Sequence, residues 1–325
     1  MNYVKYLYPP LWRRLTSKRR HRLLLVFFLF SSGFGLRSAA YSLQPTAFTG
    51  CMLAMRPATG KWISQVDPAG YANREYCPGS LIKPFTVMAA VESGARTDMV
   101  ILCAPSRPET PALRSCWYRP GHGTVDIEKA IANSCDRYFT ELALRIKWPQ
   151  FVDVLVRFGL LVKEKKAFMD AIPEGERLGV MVGLSDKLKL SPVNLLCAFA
   201  AIFNGGYLFS GGGAGGLTLS RRVAINEGAL KIIAGGMAKS SQFGTASEVS
   251  KAFPGREILS KTGTAIFSEG QISDPGRTHG WYIGVTPAGA PRAAMIIFIP
   301  TGTGAHDAVP AAIGFWPEII AHAPL

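Results

Sequence analysis

The chain has 325 residues, 48% hydrophobic and 10% aromatic, which provides for a sizeable core and excludes an intrinsically disordered protein. Its net charge of +14 would suit a nucleic-acid binder, but eight of its Lys and Arg residues fall within residues 1–40, which contain no acid. No basic run interleaved with aromatics is left in the body, so no nucleic-acid partner is expected.

The basic block leads into Leu23-Leu24-Leu25-Val26-Phe27-Phe28-Leu29-Phe30 and then to the small residues Ser38-Ala39-Ala40. A basic start, a short apolar core and a small-residue site together read as an export signal. The apolar run is about 14 residues, short of the roughly 20 that span a bilayer, which favours cleavage near Ala40 over an uncleaved anchor. The expected organisation is a signal peptide or membrane anchor over residues 1–40 and a single domain over residues 41–325. That domain would work in the periplasm or at the outer face of the cytoplasmic membrane, touching the membrane only through residues 1–40.

Within the body, Phe48 to Met55 and Lys61 to Val66 read as a hairpin around the turn Arg56-Pro57-Ala58-Thr59-Gly60. Pro78-Gly79 marks a turn before a helix that runs on as Phe85 to Val91, too apolar to be exposed. Residues 96–124 read as a loop ending in Gly121-His122-Gly123. Helical patterns follow over Asp126 to Lys147, over 149–162, over Ser191 to Phe203 and over Glu227 to Ser240, with Pro192 marking a first turn. The glycine cluster 211–216 reads as a loop; it lacks the preceding strand and the Lys-Ser/Thr ending of a phosphate cradle. Arg256 to Thr264, Gly280 to Val285 and Ala293 to Pro300 read as strands, and a closing helix covers about 308–321. This order predicts an α+β fold: a mainly antiparallel sheet formed from both chain ends, flanked by helices, with a helical subdomain inserted.

The chemistry centres on Ser80 and Lys83. Three residues apart at a helix start, they share one face, and the lysine can take the serine proton where burial favours the neutral amine. Two further elements supply partners. Asn133-Ser134-Cys135-Asp136 interrupts an apolar pattern with a second hydroxyl and a carboxylate. Ser260-Lys261-Thr262-Gly263-Thr264 places a cation, a glycine that would let a substrate backbone lie along a strand, and two threonines on one strand face able to grip a carboxylate.

With Ser-x-x-Lys, Ser-x-Asp and Lys-Thr-Gly in that order, the chain resembles the penicillin-binding protein transpeptidases and serine β-lactamases. The likeness extends through Gly121-His122-Gly123, Leu190-Ser191-Pro192-Val193-Asn194 and His279-Gly280-Trp281-Tyr282-Ile283-Gly284-Val285, and covers about residues 50–300. It is greatest to the transpeptidase domains of high-molecular-mass members, whose usual glycosyltransferase domain or dimerisation pedestal is not seen in this sequence. The resemblance implies that Ser80 attacks the carbonyl of a D-Ala-D-Ala stem peptide of peptidoglycan or of a β-lactam. Lys83 would be its base and Ser134 the relay to the leaving amine. Lys261 would orient Ser134, Thr262 and Thr264 would bind the terminal carboxylate, and the backbone N–H groups of Ser80 and Thr264 would hold the oxyanion. A separate glycosyltransferase would supply glycan strands. Asp136 stands where the family usually has Asn. An ionised carboxylate can only accept hydrogen bonds, and beside Lys83 it would favour the ammonium and weaken the base, unless it is protonated or turned toward Arg137. Three readings follow: a D,D-transpeptidase or carboxypeptidase, a serine β-lactamase, and a β-lactam sensor or cell-wall scaffold.

Six cysteines make disulfides conceivable, with Cys103–Cys116 the favoured pair and Cys51 and Cys197 better suited to free buried thiols. No Cys/His spacing fits a familiar metal motif, so neither a metal nor a cofactor is expected.

Overall fold

The computed structural model describes residues 48–107, 115–213, 216–269, 272–287 and 289–323, so the expected export segment 1–40 lies outside the described residues. The chain begins with the hairpin of β1 (Cys51–Met55) and β2 (Trp62–Val66). A single 3-10 turn, Gly79–Ile82, leads into α1 (Lys83–Glu92). The stretch expected as a loop contains a two-stranded ribbon of β3 (Ile101–Cys103) and β4 (Gly123–Val125). The helix expected over 126–147 is broken into α2 (Ile127–Ala132), capped by the Asp126 carboxylate, and α3 (Asp136–Ala143). Then come α4 (Trp148–Arg157), two helices that the apolar pattern did not announce, α5 (Lys166–Asp170) and α6 (Glu174–Val182), and α7 (Pro192–Phe203) with Ser191 as its cap. Of the glycine cluster expected as a loop, Gly211, Gly212 and Gly213 end β5 (Tyr207–Gly213) and Gly216 begins β6 (Gly216–Arg222), the two strands of a second ribbon. The remainder is α8 (Glu227–Gln242), α9 (Ser247–Ala252), β7 (Leu259–Glu269), β8 (Ile272–Thr286), β9 (Ala293–Ile299) and α10 (Val309–His322).

The main sheet is antiparallel with strand order β2-β1-β9-β8-β7, so the two chain ends meet where β1 pairs with β9, Leu53 opposite Ile296. Alternate residues of these strands point to opposite faces, and both faces are covered by helices. Leu53, Ile296, Phe298 and Trp281 join one core with α1, α3, α7 and α8; Met52, Met295, Ile297 and Tyr282 join a second core under α10. That is why β1 and β9 read as nearly unbroken apolar runs. The α+β expectation is met: this is the mixed helix and antiparallel-sheet architecture, with helices inserted between the first hairpin and the last three strands. Among the described residues no helix is long and apolar enough to cross a membrane.

Phe298 is fully buried where the sheet meets the helical region, stacked on Tyr76 with ring centroids 4.3 Å apart and tilted against Trp281 at 4.5 Å. Phe298→Ala is expected to lower the unfolding free energy by about 3–5 kcal/mol. Leu219→Ala, at a half-exposed site, should change it by no more than about 0.5 kcal/mol. Urea unfolding of the two variants beside the parent chain measures both.

Candidate active site

Ser80 sits in the 3-10 turn ahead of α1 and keeps part of its surface open, whereas Lys83 is fully buried. The turn is pressed onto β7. Gly79 adopts φ +53°, and a Cβ there would lie 2.7 Å from the Thr264 carbonyl oxygen; a Cβ on Gly263 would lie 3.0 Å from that of Pro78. The missing side chain of Gly263 therefore admits the protein's own Ser80 turn on that face. Gly183, the left-handed cap of α6, closes from the other side, and Thr86 Oγ1 donates to the Met181 carbonyl at 2.6 Å. The reactive turn is thus clamped between a helix end and a sheet edge, since β7 is the outermost strand.

Lys83 Nζ lies 2.9 Å from Ser80 Oγ, 2.9 Å from the Ser134 carbonyl oxygen and 2.6 Å from Asp136 Oδ1. An ammonium has three protons, and these three oxygens take them all. Two of the three acceptors, the carbonyl and the carboxylate, can only accept. The Ser80 hydroxyl can also donate, so a neutral Lys83 could keep two bonds and turn its lone pair to the Ser80 proton. Burial pushes the Asp136 carboxyl above the usual carboxylate range, and the Lys83 charge works against that rise. Asp136 is turned toward Lys83 and not toward Arg137, which pairs with Glu141 at 2.7 Å.

Ser134 occupies the break between α2 and α3 and is the one non-glycine residue with positive φ among the described residues, at +54°. Such a conformation costs energy for a side-chain-bearing residue and marks a position held by its surroundings. It lets the carbonyl and the hydroxyl of one residue both face lysines: the carbonyl accepts from Lys83, and the hydroxyl accepts from Lys261 Nζ at 2.8 Å. Lys261 also donates to the Thr262 carbonyl at 2.7 Å. It is fully buried, and burial first, then the nearby Lys83 charge, lowers its pKa well below the ordinary lysine value. The Lys83 and Lys261 nitrogens thus line this interior from either side of Ser134.

Thr262 and Thr264 do share a strand face, but their hydroxyls differ. Thr262 Oγ1 donates to Thr245 Oγ1 at 2.6 Å, while Thr264 is exposed and accepts from the Gly304 N–H at 3.0 Å, leaving its own proton to give.

A family model, the penicillin binding protein transpeptidase domain, matches residues 50–314. The chain belongs to this family. Peptidoglycan D,D-transpeptidase PbpA of Mycobacterium tuberculosis is 28% identical over 279 residues, covering 76% of this chain and 52% of that protein. Peptidoglycan D,D-transpeptidase MrdA of Acinetobacter baumannii is 25% identical over 279 residues, covering 70% and 40%. The chain spans about half the length of the curated relatives it matches. Among solved structures, PBP2 from Helicobacter pylori superposes with a TM-score of 0.69 at 18% identity, covering 85% of this chain and 61% of that one. Penicillin-binding protein A from M. tuberculosis, solved as a ceftriaxone acyl-enzyme complex, gives 0.64 at 23% identity, covering 85% and 74%. At these identities the structural likeness is one of fold.

The motif reading missed Trp117, whose backbone N–H donates to Asp136 Oδ2 at 3.2 Å and whose indole donates to the Asn133 carbonyl at 3.1 Å. A backbone donor has no residue signature, so nothing in the sequence points to it. Thr245, which bonds Thr262 and the Ala132 carbonyl, was missed for a similar reason. The cysteines require a correction. Cys103 and Cys116 form no disulfide; both are free thiols, as are Cys51 and Cys197. Although their spacing fits no familiar metal motif, the fold gathers Cys103, Cys116, His122 and Cys135 with their ligand atoms all within 4.8 Å of one another. Hydrogen bonding from Cys135, then from His122, pulls the Cys116 thiol below its ordinary value despite its burial.

Between its lowered folded pKa and the unfolded value of 10.5, Lys261 holds fewer protons in the folded chain than in the unfolded one. The penalty for burying its charge is therefore present below the folded pKa and is relieved as pH rises, so this group makes stability increase with pH across that window. Lys261→Met is expected to raise stability near neutral pH and to flatten that increase, with Lys83 and Asp136 still facing the site. Melting temperatures of parent and variant across the neutral to alkaline range test it; parallel curves would mean that Lys261 keeps its proton.

Proposed function

We propose that the chain is an exported serine D,D-transpeptidase acting on peptidoglycan stem peptides through an acyl-enzyme on Ser80, and that β-lactams acylate the same serine. The observation that carries this reading is the 2.9 Å contact of Lys83 Nζ with Ser80 Oγ, in a site whose second hydroxyl, Ser134, is held by Lys261. Membership of the family and the names of the relatives support it; the basic and apolar segment of residues 1–40 supports export.

In this mechanism Ser80 Oγ attacks the carbonyl of the penultimate D-Ala as its proton passes to neutral Lys83. The oxyanion is held by the N–H groups of Ser80 and Thr264, an arrangement typically worth about 3–4 kcal/mol. The proton then travels by way of Ser134 to the leaving nitrogen, the C–N bond breaks, and D-Ala departs. Thr264, with Lys261 behind it, binds the terminal carboxylate, while Thr262 positions the strand through Thr245. An amine on a neighbouring stem then takes the acyl group, giving a cross-link, or water takes it, giving carboxypeptidase activity. Cross-linking by this chain relies on glycan strands polymerised by a separate glycosyltransferase, a dependence in keeping with a structural neighbour described as part of a peptidoglycan synthase complex.

Incubation with labelled penicillin, followed by intact mass, is expected to show one persistent adduct per chain that Ser80→Ala abolishes. Steady turnover of a chromogenic cephalosporin would reassign the chain as a serine β-lactamase, and no adduct on folded protein would make it a scaffold.

The 2.6 Å contact between Asp136 and Lys83 favours slow acylation, because the carboxylate stabilises the ammonium that must lose its proton. Asp136→Asn keeps an acceptor for Lys83 but turns its amide against the Trp117 N–H. It is expected to speed acylation roughly tenfold while costing about 1 kcal/mol of stability. Stopped-flow acylation and thermal unfolding read the two effects separately, and an unchanged or slower rate would remove Asp136 as the brake.

A further inference from the structure

We propose that Cys103, Cys116, His122 and Cys135 form a tetrahedral Zn²⁺ site that fastens the end of β3 and residues 116–122 to the turn carrying Ser134 and Asp136. The geometry is that of a ligand shell. Cys103 Sγ and Cys116 Sγ each lie 3.5 Å from His122 Nδ1, and Cys116 Sγ lies 4.0 Å from Cys135 Sγ. Zinc bound at about 2.3 Å to sulfur and about 2.1 Å to nitrogen in a tetrahedron separates its sulfurs by about 3.8 Å and sulfur from nitrogen by about 3.6 Å. A disulfide would need sulfurs about 2.05 Å apart, and it would leave a third thiol and an imidazole in the same small space with no task.

The four groups come from separate pieces of backbone brought together at some cost. Cys103 ends β3, Cys116 lies in the following loop, His122 stands between two glycines before β4, and Cys135 caps α3. Gly121 has φ +77°, and a Cβ there would lie 2.3 Å from the Cys103 carbonyl oxygen, so only glycine lets the chain bend His122 back over Cys103. The three thiols are no more than 3% exposed. Thiolates and an imidazole are soft to intermediate donors that select zinc over magnesium or calcium. Four protein ligands leave no open position for water, which makes the site structural. On binding, zinc displaces the thiol protons to solvent, and no oxidant or reductant is involved.

The position gives such a clamp a purpose. Cys135 lies between Ser134 and Asp136, and Cys116 is followed by Trp117, whose N–H meets Asp136 and whose indole meets the Asn133 carbonyl. A metal at this point fixes both sides of the contact that orients Asp136. The proposal stands whatever substrate Ser80 takes.

The test is metal content of the full chain, purified without a polyhistidine tag or chelator from zinc-supplemented medium. About one zinc per chain is expected, falling below about a tenth in Cys116→Ala and Cys135→Ser. Cys197→Ser, at a buried thiol on α7, should keep the metal. Because the variants could fail to fold, Co²⁺ is also titrated into chelator-stripped parent protein, where the intense absorption of tetrahedral cobalt bound to several thiolates is expected. A reduced protein that takes up neither metal would overturn the proposal. So would retention of zinc in Cys116→Ala, or a Cys103–Cys116 disulfide in peptide maps of the untreated chain.

Discussion

A buried ammonium is tolerated only where oxygens surround it, and the site is built on that requirement at Lys83. Its charge is out of water on a helix that is apolar on every side, so each proton must meet an acceptor. The acceptors come from distant parts of the chain: Ser80 from the turn before the helix, the Ser134 carbonyl and the Asp136 carboxylate from the break between α2 and α3. Truncating Lys83 would take their donor from Asp136 Oδ1 and the Ser134 carbonyl together, leaving the carboxylate only the Trp117 N–H at Oδ2. The same arrangement that makes the fold depend on Lys83 brings its nitrogen to the Ser80 hydroxyl, so structure and reactivity are two aspects of one contact.

The unusual backbone of Ser134 follows from this demand. One residue serves two lysines, its left-handed backbone accompanying a carbonyl that accepts from Lys83 and a hydroxyl that accepts from Lys261. Its strain has to be held from outside. α2 packs on α8, the Thr245 N–H donates to the Ala132 carbonyl, and Trp117 bonds Asn133 from the opposite side. The second lysine, donating to the Ser134 hydroxyl and the Thr262 carbonyl, then ties that break to β7.

Much of this was legible in the amino-acid order. The first hairpin, α1, α7 and the last strands announce themselves through apolar runs bounded by glycine and proline. Ser80, Lys83, Ser134 and Lys261 announce themselves through spacing, because a helix and a strand fix which side chains can meet. What stayed hidden depends on tertiary contact. The break at 133–135 interrupts a pattern apolar enough for one helix. Glycines 211–213 sit in a strand because the ribbon continues past Ser210 to pair Gly213 with Gly216, and Gly263 reads as room for a substrate when its inner face is filled by the Ser80 turn. Cys103 and Cys116 are near each other, as their flanking of a loop suggests, but the order of residues gives no hint that Cys135, at the cap of a helix, completes their company. The choice of Asp at 136 is visible in the sequence; its bond to the Trp117 backbone is not.

The strand order carries a further consequence, for the timing of folding. β9, among the last elements to be made, lies between β1, the first, and β8. Until residue 299 has emerged, β1 and β2 are a lone hairpin with half their hydrogen-bonding edge unpaired, and the β7–β8 pair has no sheet to join. Such sequence-distant pairings make folding slow and late, because the intervening chain must be ordered before the contacts that reward it can form. A nascent domain of this topology would stay open until β9 has been made, the condition in which a polypeptide can be threaded through a narrow channel before it closes.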